Sequence, residues 1–540
     1  MLACFNKLNE LLTTEELHRE VIRRRTFAII SHPDAGKTTL TEKLLLYAGA
    51  IGLAGAVKAR KNQRRATSDW MEMEQSRGIS ITSTVLQFEY QGYRFNLLDT
   101  PGHQDFSEDT YRTLMAVDSA VMVLDSAKGV EPQTKKLFEV CRMRRIPTLI
   151  FINKMDQSGR RPLDLLDEIE KVLGMSAVPK NWPIGEGAAF QGVYDLERKQ
   201  VLRFQKTVHG QYRAPISVGG LHDAALAAEV GDEAYRLLCD EVALLEGAGV
   251  AFHTEKFLNG EVAPVFFGSA INNFGVEPFL AGLIELAPSP RAYRSSEGLI
   301  APDRDAFSGF VFKIQANMDR RHRDRMAFLR VCSGRFEKDM MVHHARLGRM
   351  IRMTRPHRLF GRERETVEEA VAGDVVGLTN PGLFSIGDTL CSYAPIQFDP
   401  IPRFRPECFG LLMNESPAKQ KQFQKGLQQL EEEGVMQVLQ SPHASRLEPV
   451  LAVVGNLQFD VVVARLLFEY DVKASVKRLP FECACFVSGD PEAFARMIRN
   501  GWEGMRLLDR SGQTVALFAT ERELEFYKKR YEEIEFKPFS

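Results

Sequence analysis

The chain has 540 residues, of which 44% are hydrophobic and 26% charged, with 70 basic residues against 71 acidic ones. This is the composition of a globular protein, and because a single core rarely grows past about 250–300 residues, we expect about three domains. No apolar run approaches the length of about 18 residues that predicts a membrane span, and charges throughout the first residues argue against a signal peptide.

The first predicted elements open a parallel α/β sheet. Thr13 and Glu16 fit a capping box, which predicts a short leading helix within an N-terminal extension over 1–24. The apolar run Thr26–Ile30 then predicts a strand, which is followed by a polar loop and a helical stretch containing Leu40. The order strand, loop, helix is the start of an α/β domain.

Further apolar runs repeat this pattern, and each ends at a loop rich in Asp, Gly, Asn or Ser. They are Tyr93–Leu98, Ser119–Leu124, Pro147–Ile152 and Val265–Phe267, with a helix predicted over Glu131–Arg145. Ligands of open α/β sheets bind at such carboxyl-end loops. We therefore predict one α/β domain over 25–291, with an insertion at about 174–260.

Two more domains are predicted beyond a linker rich in Pro and Ser, Ala287–Pro302. Strand patterns with regular turn spacing predict a β-barrel over 306–396. Prolines cluster again near Phe398–Pro406, and the mixed helix and strand patterns after them predict an α+β domain over 400–540. The predicted fold class is multidomain α/β, in which a mostly parallel sheet with flanking helices precedes the barrel and the α+β domain.

The first sheet loop, SHPDAGKT, fits the P-loop pattern G-x-x-x-x-G-K-[ST] except that Ser31 replaces the first glycine. Backbone N–H groups of such a loop bind phosphate at a helix N-terminus. Lys37 would neutralise the β- and γ-phosphates of a nucleotide, and the hydroxyl of Thr38 would bind Mg²⁺. The predicted phosphate-binding residues are Ser31, His32, Pro33, Asp34, Ala35, Gly36, Lys37 and Thr38. The alternative is an incidental Gly-Lys-Thr turn before a helix.

The second sheet loop, DTPGH, supports the nucleotide interpretation. It places Asp99, Thr100, Pro101, Gly102 and His103 at the end of a predicted strand. Asp99 would hold Mg²⁺ through water, and the N–H of Gly102 would meet the γ-phosphate that hydrolysis removes. The sequence DTPG is also a good turn by itself. Its position after a P-loop favours a nucleotide triphosphate site.

The third sheet loop, NKMD, predicts guanine as the base. The carboxylate of Asp156 would accept hydrogen bonds from N1–H and the 2-amino group of guanine, both of which adenine lacks. A site built for such a group rejects an analogue without it by about 10⁴–10⁵. Asn153 would reach the other edge of the base, and the stem of Lys154 would cover its face. The residues predicted to form the base pocket are Asn153, Lys154, Met155, Asp156, Ser269 and Ala270.

Together these motifs resemble those of the GTPase superfamily, and the histidine of DTPGH resembles that of its translational branch. The segment Ser68–Ser83 resembles the effector segment of elongation factors, with Ser80 at the position of a threonine. The resemblance implies that Ser80 joins Thr38 and Asp99 as a Mg²⁺ ligand, with Thr82 as the alternative.

Longer segments resemble the bacterial release factor 3 family. They include SDWMEMEQ, DTPGHQDFSEDTYRTLMAVD, FVFKIQANMDRRHRDRMAFLRV and GNLQFDVVVARLLFEY, within a similarity over nearly all of Thr26–Lys537. Gln104 stands where this family commonly has Glu. The resemblance implies that His103 is the catalytic residue, which orients the attacking water on the ribosome.

The resemblance also implies a function and partners. The protein would be a ribosome-dependent GTPase of translation termination that promotes dissociation of class-1 release factors after peptide release. GTP or GDP would be its ligand and Mg²⁺ its cofactor. Its partners would be ribosomal RNA and proteins, with class-1 release factors affected indirectly, and we expect a cytoplasmic protein that is monomeric off the ribosome and has no membrane contact.

Other functions stay open at this point. A translocase or a protection-type translational GTPase would need further domains beyond Ser540. A metabolic GTPase, as in sulfate activation, also combines a GTPase domain with a barrel, although the segment GNLQFDVVVARL resembles ribosomal factors instead. A GTP-binding scaffold without turnover is disfavoured by the intact DTPGH. The pair Cys483 and Cys485 lacks a second ligand pair, so no zinc site is predicted.

Overall fold

A computed structural model describes most of the chain. The described residues are 14–51, 80–205, 216–223, 226–249, 251–316, 325–360, 363–393, 395–442 and 448–539. Within these ranges no helix has the length and apolar character needed to cross a membrane. The first described residues form helix α1 over 14–22, whose Leu17 and Val21 pack on Val371 and Ala372. The predicted leading helix is therefore present, while Thr13 of its capping box lies outside the described residues.

The first unit is an α/β unit with a central sheet. In chain order, the strands of this sheet are β1 Arg24–Ser31, β2 Thr84–Tyr90, β3 Tyr93–Asp99, β4 Ser119–Asp125, β5 Thr148–Asn153, β6 Ser176–Pro179 and β11 Val262–Phe267. The helices of the unit are α2 Lys37–Ala48, α3 Ser107–Met115, α4 Pro132–Met143, α5 Pro162–Leu173, α6 Leu226–Val230, α7 Asp232–Ala248, α8 Thr254–Leu258 and α9 Val276–Leu286. The strand order is β2-β3-β1-β4-β5-β11-β6, in which β2 alone is antiparallel to its neighbour.

The sequence folds this way because these strands are apolar on both faces. Every residue of β4 and β5 is buried, as expected for parallel strands covered by helices on each side. Side chains alternate along β1, so Phe27 and Ile29 enter one core while Ala28 and Ile30 enter the other. Two separate cores therefore hold the sheet between its helices.

The segment predicted as an insertion at about 174–260 contains a sheet of its own. Its strands are β7 Asn181–Ile184, β8 Gly192–Asp195, β9 Gln200–Phe204 and β10 Ile216–Gly220, paired antiparallel in the order β10-β9-β8-β7. The same segment also supplies β6, which pairs with β11 at the edge of the central sheet. This part of the chain thus first adds β6 to the edge of the central sheet and then forms a separate antiparallel sheet.

The second unit consists of antiparallel strands. After a hairpin of β12 Tyr293–Ser295 and β13 Gly298–Ile300, they are β14 Ser308–Ala316, β15 Arg325–Ser333, β16 Arg335–Glu337, β17 Met341–His344, β18 Arg349–Arg352, β19 Pro356–Phe360, β20 Glu363–Thr366, β21 Glu369–Val371, β22 Val375–Asn380 and β23 Thr389–Cys391. Phe307, Val311 and Leu329 belong to their shared core. Strand β19 also pairs with β2, so the sheets of the first and second units are joined.

The third unit contains two four-stranded antiparallel sheets. Its strands are β24 Cys408–Asn414, β25 Gln437–Leu439, β26 Val450–Val453, β27 Ala474–Leu479, β28 Cys483–Gly489, β29 Met505–Leu508, β30 Thr514–Phe518 and β31 Ile534–Pro538. Its helices are α10 Gln420–Glu432, α11 Leu457–Tyr470, α12 Pro491–Arg499 and α13 Glu521–Arg530. The sheet orders are β25-β26-β24-β27 and β29-β30-β28-β31. Helices α10 and α11 pack on the first sheet, and α12 and α13 share a core with the second.

The topology of the first unit brings the predicted motif loops to one edge. The P-loop follows β1, DTPGH follows β3, NKMD follows β5, and Ser269 with Ala270 follows β11. Because β1, β3, β5 and β11 run parallel within one sheet, their carboxyl ends lie on the same side. This side of the sheet is where ligands of open α/β folds bind.

Candidate nucleotide-binding site

The P-loop has the backbone of a phosphate cradle. Gly36 has φ 94° and Asp34 has φ 67°, so the chain turns sharply before helix α2 begins at Lys37. A Cβ on Gly36 would lie 2.3 Å from Nδ2 of Asn153, which explains why glycine is required there. The N-cap residue of α2 is Gly36, which has no side chain with which to cap the helix. The backbone N–H groups and positive dipole end of the helix are therefore suited to an anion.

Serine at the first P-loop position is accommodated inside the fold. Ser31 is buried, and its hydroxyl donates to the carbonyl oxygen of His32 at 2.8 Å. The ring of His32 is also buried, with Nε2 3.1 Å from Oε2 of Glu131. Burial lowers the pKa of His32 below its ordinary value, against the opposing charge of Glu131. A neutral ring at this position leaves the positive charge of the loop to Lys37.

Lys37 and Asp99 form a buried ion pair at the head of the P-loop. Nζ of Lys37 lies 3.0 Å from Oδ1 of Asp99, and their side chains are 6% and 2% exposed. The second carboxylate oxygen of Asp99, Oδ2, is buried and has no hydrogen-bond partner among the described residues. Such an oxygen carries a desolvation cost unless a cation or an ordered water meets it. The pair therefore fits a phosphate at Lys37 and a hydrated Mg²⁺ at Asp99.

The other two predicted Mg²⁺ ligands come from the start of α2 and from the segment before β2. Thr38 is the second residue of α2, directly after Lys37. Ser80 and Thr82 lie four and two residues before the first residue of β2, Thr84, which stands opposite Asp99 in the β2–β3 register. Of the effector segment Ser68–Ser83, residues 68–79 lie outside the described residues. Ser80, with Thr82 as the alternative, stays a prediction.

Asn153 joins two loops of the predicted site. Its Nδ2 donates to the carbonyl oxygen of Ala35 at 2.8 Å, and its Oδ1 accepts the N–H of Ala270 at 2.8 Å. The side chain therefore links the P-loop to the loop that follows β11. The sequence predicts that Asn153 also reaches the base, and the structure adds this bracing role. Met155 strengthens the same link, because its N–H donates to the carbonyl oxygen of Gly268 at 3.2 Å.

The side chains of Asp156 and Lys154 in NKMD have the contacts expected of a base-binding site. Oδ1 of Asp156 is buried and, among the described residues, accepts no hydrogen bond. Lys154 has φ 66°, and its Nζ lies 2.8 Å from Oδ2 of Asp125, which holds the lysine stem in place. Ser126 fixes the lysine backbone by donating to its carbonyl oxygen at 3.1 Å. An acceptor without a donor, beside an anchored stem, fits the N1–H and 2-amino edge of guanine.

The DTPGH loop is held against the P-loop. The hydroxyl of Thr100 donates to the carbonyl oxygen of Ile29 in β1 at 2.7 Å, and Thr110 donates to the carbonyl oxygen of Pro101 at 3.1 Å. Gly102 approaches the P-loop closely, since a Cβ there would lie 3.4 Å from the carbonyl oxygen of Ser31. The structure thus brings Gly102 to the phosphate-binding loop, as its predicted role requires.

His103 is half-buried and faces its own neighbour in the chain. Its Nδ1 accepts the N–H of Asp105 at 3.2 Å and lies 3.3 Å from Oδ1 of the same residue. Asp105 is a residue that the sequence analysis missed. Its position two residues after His103, in the first turn of a short helix Gln104–Phe106, was the available signal.

The sequence analysis also missed the side chains that join the other units to these loops. Lys313 of β14 donates from Nζ to the carbonyl oxygen of Ser83 at 2.6 Å and lies 3.3 Å from Oδ2 of Asp109 in α3. Arg112 of α3 donates to the carbonyl oxygens of Glu433 and Gly434 at 2.9 and 2.8 Å. Their partners are distant in sequence, so no local pattern could have indicated them.

Comparisons with known families agree with this arrangement along the chain. Residues 22–289 match the family "Elongation factor Tu GTP binding domain", and residues 306–393 match "Elongation factor G domain 2". Residues 398–528 match "Class II release factor RF3, C-terminal domain". A crystal structure of a protein from Thermus thermophilus superposes with a TM-score of 0.67 and 22% identity, covering 91% of this chain and 71% of that one. The predicted fold class, a P-loop α/β domain followed by a β-barrel and an α+β domain, is confirmed.

Curated relatives are similar over nearly the whole chain. The peptide chain release factor 3 of Cyanothece sp. is 57% identical over 509 residues, covering 94% of this chain and 93% of the relative. That of Gloeobacter violaceus is 56% identical over 509 residues, covering 94% of this chain and 96% of the relative. These relatives and the C-terminal match favour termination over the translocase, protection-type and metabolic alternatives.

Proposed function

Because the chain belongs to the peptide chain release factor 3 family and is a translational GTPase of termination, we propose how it works. It binds GTP, hydrolyses it to GDP and phosphate on the ribosome, and thereby drives a class-1 release factor off after peptide release. The observation that carries the nucleotide part is the buried Oδ1 of Asp156, which has no hydrogen-bond partner among the described residues and lies next to loops that Asn153 ties together. That combination supports a site specific for guanine at the carboxyl edge of the sheet.

In the proposed complex the phosphates lie against the P-loop, Ser31–Thr38. Lys37 turns from its partner Asp99 towards the β- and γ-phosphates, where its charge is satisfied by a stronger anion. Thr38, Ser80 and Asp99 would hold Mg²⁺, which would neutralise charge on the phosphate oxygens. The base lies between the stem of Lys154 and the backbone of Ser269 and Ala270.

Hydrolysis forms a bond between the oxygen of water and the γ-phosphorus and breaks the bond from phosphorus to the bridging oxygen of GDP. The N–H of Gly102 contacts the γ-phosphate before transfer. His103 positions the attacking water, and since Nδ1 is turned to Asp105, Nε2 is the nitrogen available for it. The role of the protein in such a reaction is mainly positioning and stabilisation of charge.

The contacts around the loops that sense GTP provide a way to couple the bound nucleotide to the ribosome. Arg112 and Lys313 connect α3 and Ser83 to the third and second units, so a change at these loops alters how the three units are arranged. A nucleotide performs work only if its bound states differ in affinity for a partner. The GTP form would fit one ribosome conformation and the class-1 factor another, so that the factor is expelled by mutual exclusion.

We also propose the binding partners and the domain boundaries. Ribosomal RNA and proteins are the direct partners, class-1 release factors are affected indirectly, and the protein is a cytoplasmic monomer off the ribosome. The domains are an N-terminal extension over 1–24, a GTPase domain over 25–291 with an insertion at about 174–260, a barrel over 306–396 and an α+β domain over 400–540.

The proposal is tested by two measurements on the full chain. Phosphate release from GTP is measured with and without ribosomes, and we expect ribosomes to raise the rate. A fluorescently labelled class-1 release factor is then followed as it leaves post-release ribosomes, with GTP or GDP and with no added protein. We expect faster departure with GTP. An unchanged departure rate together with movement of transfer RNA and messenger by one codon would contradict termination and favour a translocase.

A further inference from the structure

Asp105 contacts the catalytic histidine and the third unit at the same time. One carboxylate oxygen, Oδ1, lies 3.3 Å from Nδ1 of His103, and the backbone N–H of Asp105 donates to that same nitrogen. The other oxygen, Oδ2, accepts the backbone N–H of Leu457 at 2.7 Å. A single carboxylate therefore lies between the predicted catalytic ring and a helix of another unit.

The contact on the third unit is shaped for this carboxylate. Leu457 is the first residue of α11, and the side chain of the N-cap residue, Asn456, makes no capping hydrogen bond. The first N–H groups of a helix lack internal partners and carry partial positive charge, which a carboxylate satisfies. A Cβ on Gly455 would lie 2.1 Å from the carboxyl carbon of Asp105, so glycine at this position leaves the space that the carboxylate occupies.

The surroundings keep this junction away from water. Asp105 is 7% exposed, and the next residue, Phe106, packs with Ile81 and with Val461 of α11. Ile81 belongs to the end of the predicted effector segment, so both nucleotide-sensing loops meet α11 at this point. Polar contacts in such surroundings are screened less than surface contacts. A displacement of α11 is therefore transmitted to the carboxylate that faces His103.

We infer that Asp105 is a positioning residue for hydrolysis. It links the orientation of the His103 ring to the position of the docked third unit. The inference rests on the proposed function, in which His103 orients the attacking water. The N–H of Asp105 holds the ring through Nδ1, and Oδ1 of the same residue lies 3.3 Å from that nitrogen. Through Leu457 the orientation of His103 depends on where the ribosome places the third unit.

A plainer role for Asp105 is to cap α11 and hold the units together. The two roles differ in how a loss at Asp105 combines with a loss at His103. Residues that act as one catalytic unit give non-additive losses, whereas independent losses add. A double-mutant cycle therefore separates positioning from docking.

The cycle measures single-turnover GTP hydrolysis with saturating ribosomes for the full-length parent, Asp105→Ala, His103→Ala and the double variant. We expect Asp105→Ala to slow hydrolysis by roughly 10–100-fold, part of the 10²–10⁴ that a positioned proton-handling or orienting group contributes. GTP and GDP affinities, measured by calorimetry, stay at the parent level. The double variant is no slower than His103→Ala. Asp105→Asn, which keeps an acceptor for Leu457, replaces Asp105→Ala in the cycle if the alanine variant does not fold.

Arg112→Ala is the matched control. It removes two hydrogen bonds from α3 to the third unit without touching His103, so its loss should add to that of His103→Ala. Additive losses for Asp105 and His103, or parent rates for Asp105→Ala, would overturn the inference and leave the proposed function standing. Parent rates for His103→Ala would overturn both.

Discussion

Arg330 of the second unit and Asp118 of the first unit form an ion pair removed from solvent. Nη2 of Arg330 lies 2.6 Å from Oδ2 of Asp118, and the side chains are 0% and 1% exposed. Arg330 also donates to the carbonyl oxygen of Gly373 at 2.6 Å, and Asp118 accepts the N–H of Arg291 at 3.0 Å. Burial raises the pKa of Asp118, and the charge of Arg330 opposes that rise. Each buried charge is stabilised by the opposite charge of its partner, so the ion pair holds the first and second units in one arrangement.

Removing one member of this pair should destabilise the protein strongly. Asp118→Ala leaves a buried guanidinium without its counter-charge, which costs about 3–5 kcal/mol in the free energy of unfolding. Urea unfolding followed by fluorescence measures the loss. Glu89→Ala, which breaks the surface pair with Arg94, is the control and should cost about 0–1 kcal/mol. Equal losses in the free energy of unfolding for the two variants would show that the buried pair contributes no more to stability than the surface pair.

Lys37→Ala should abolish tight nucleotide binding. The variant removes the cation that the P-loop directs at the phosphates, and a hydrogen bond to a charged group contributes about 1.5–3 kcal/mol. We expect GTP and GDP affinities measured by calorimetry to fall at least about tenfold, and the free energy of unfolding to fall as well because Asp99 loses its buried counter-charge. Lys136→Ala, on the exposed side of α4, is the control. Parent affinity for both nucleotides in Lys37→Ala would contradict the P-loop assignment.

Asp156→Asn should move the base preference from guanine to xanthine. The amide keeps the size of the carboxylate but offers a donor, which meets the 2-keto group of xanthine instead of the 2-amino group of guanine. Competition binding between GTP and xanthosine triphosphate measures the change. Asp167→Asn, on the exposed surface of α5, should keep the parent ratio. If Asp156→Asn also keeps it, base recognition lies elsewhere.

Lys313→Met should alter how stability depends on pH. Burial by itself raises the pKa of Asp109, but Lys313, Arg112 and hydrogen bonds from Ser83 outweigh it and hold that pKa below its ordinary value. A lowered pKa stabilises the fold above the unfolded-state value of about 3.9 and ceases to do so as pH falls through the folded-state value. We expect the stability difference between parent and Lys313→Met to be largest above about pH 4 and to shrink in acid.

The measurement for Lys313 is urea unfolding of parent and variant between about pH 2 and 6, the range around the ordinary aspartate pKa. Lys338→Met, which breaks an exposed pair with Glu368, is the control and should show little dependence on pH in this range. A difference between parent and Lys313→Met that stays constant down to the lowest pH would mean that Lys313 acts through packing instead of charge.

Local sequence determined the elements and loops of the first unit. The apolar run Thr26–Ile30 predicted β1, and the following Gly36 and Lys37 predicted a turn and a helix start, because backbone conformation and side-chain alternation are set by near neighbours. The motif spacing also placed Asp99, Asn153 and Asp156 at strand ends, and the parallel sheet then brought them to one edge. The leading helix was likewise predictable from Leu17 and Val21.

Only the tertiary structure decided how these loops are held. The contacts of Asp105 with Leu457, Lys313 with Ser83 and Arg330 with Asp118 join residues 352, 230 and 212 positions apart. No periodicity or motif connects such positions, because these contacts form only when the three units pack against one another. Polar and charged groups that become buried there need hydrogen-bond or ion-pair partners. The sequence thus predicted which residues bind nucleotide, while the packing of the three units determined which residues hold those loops in place.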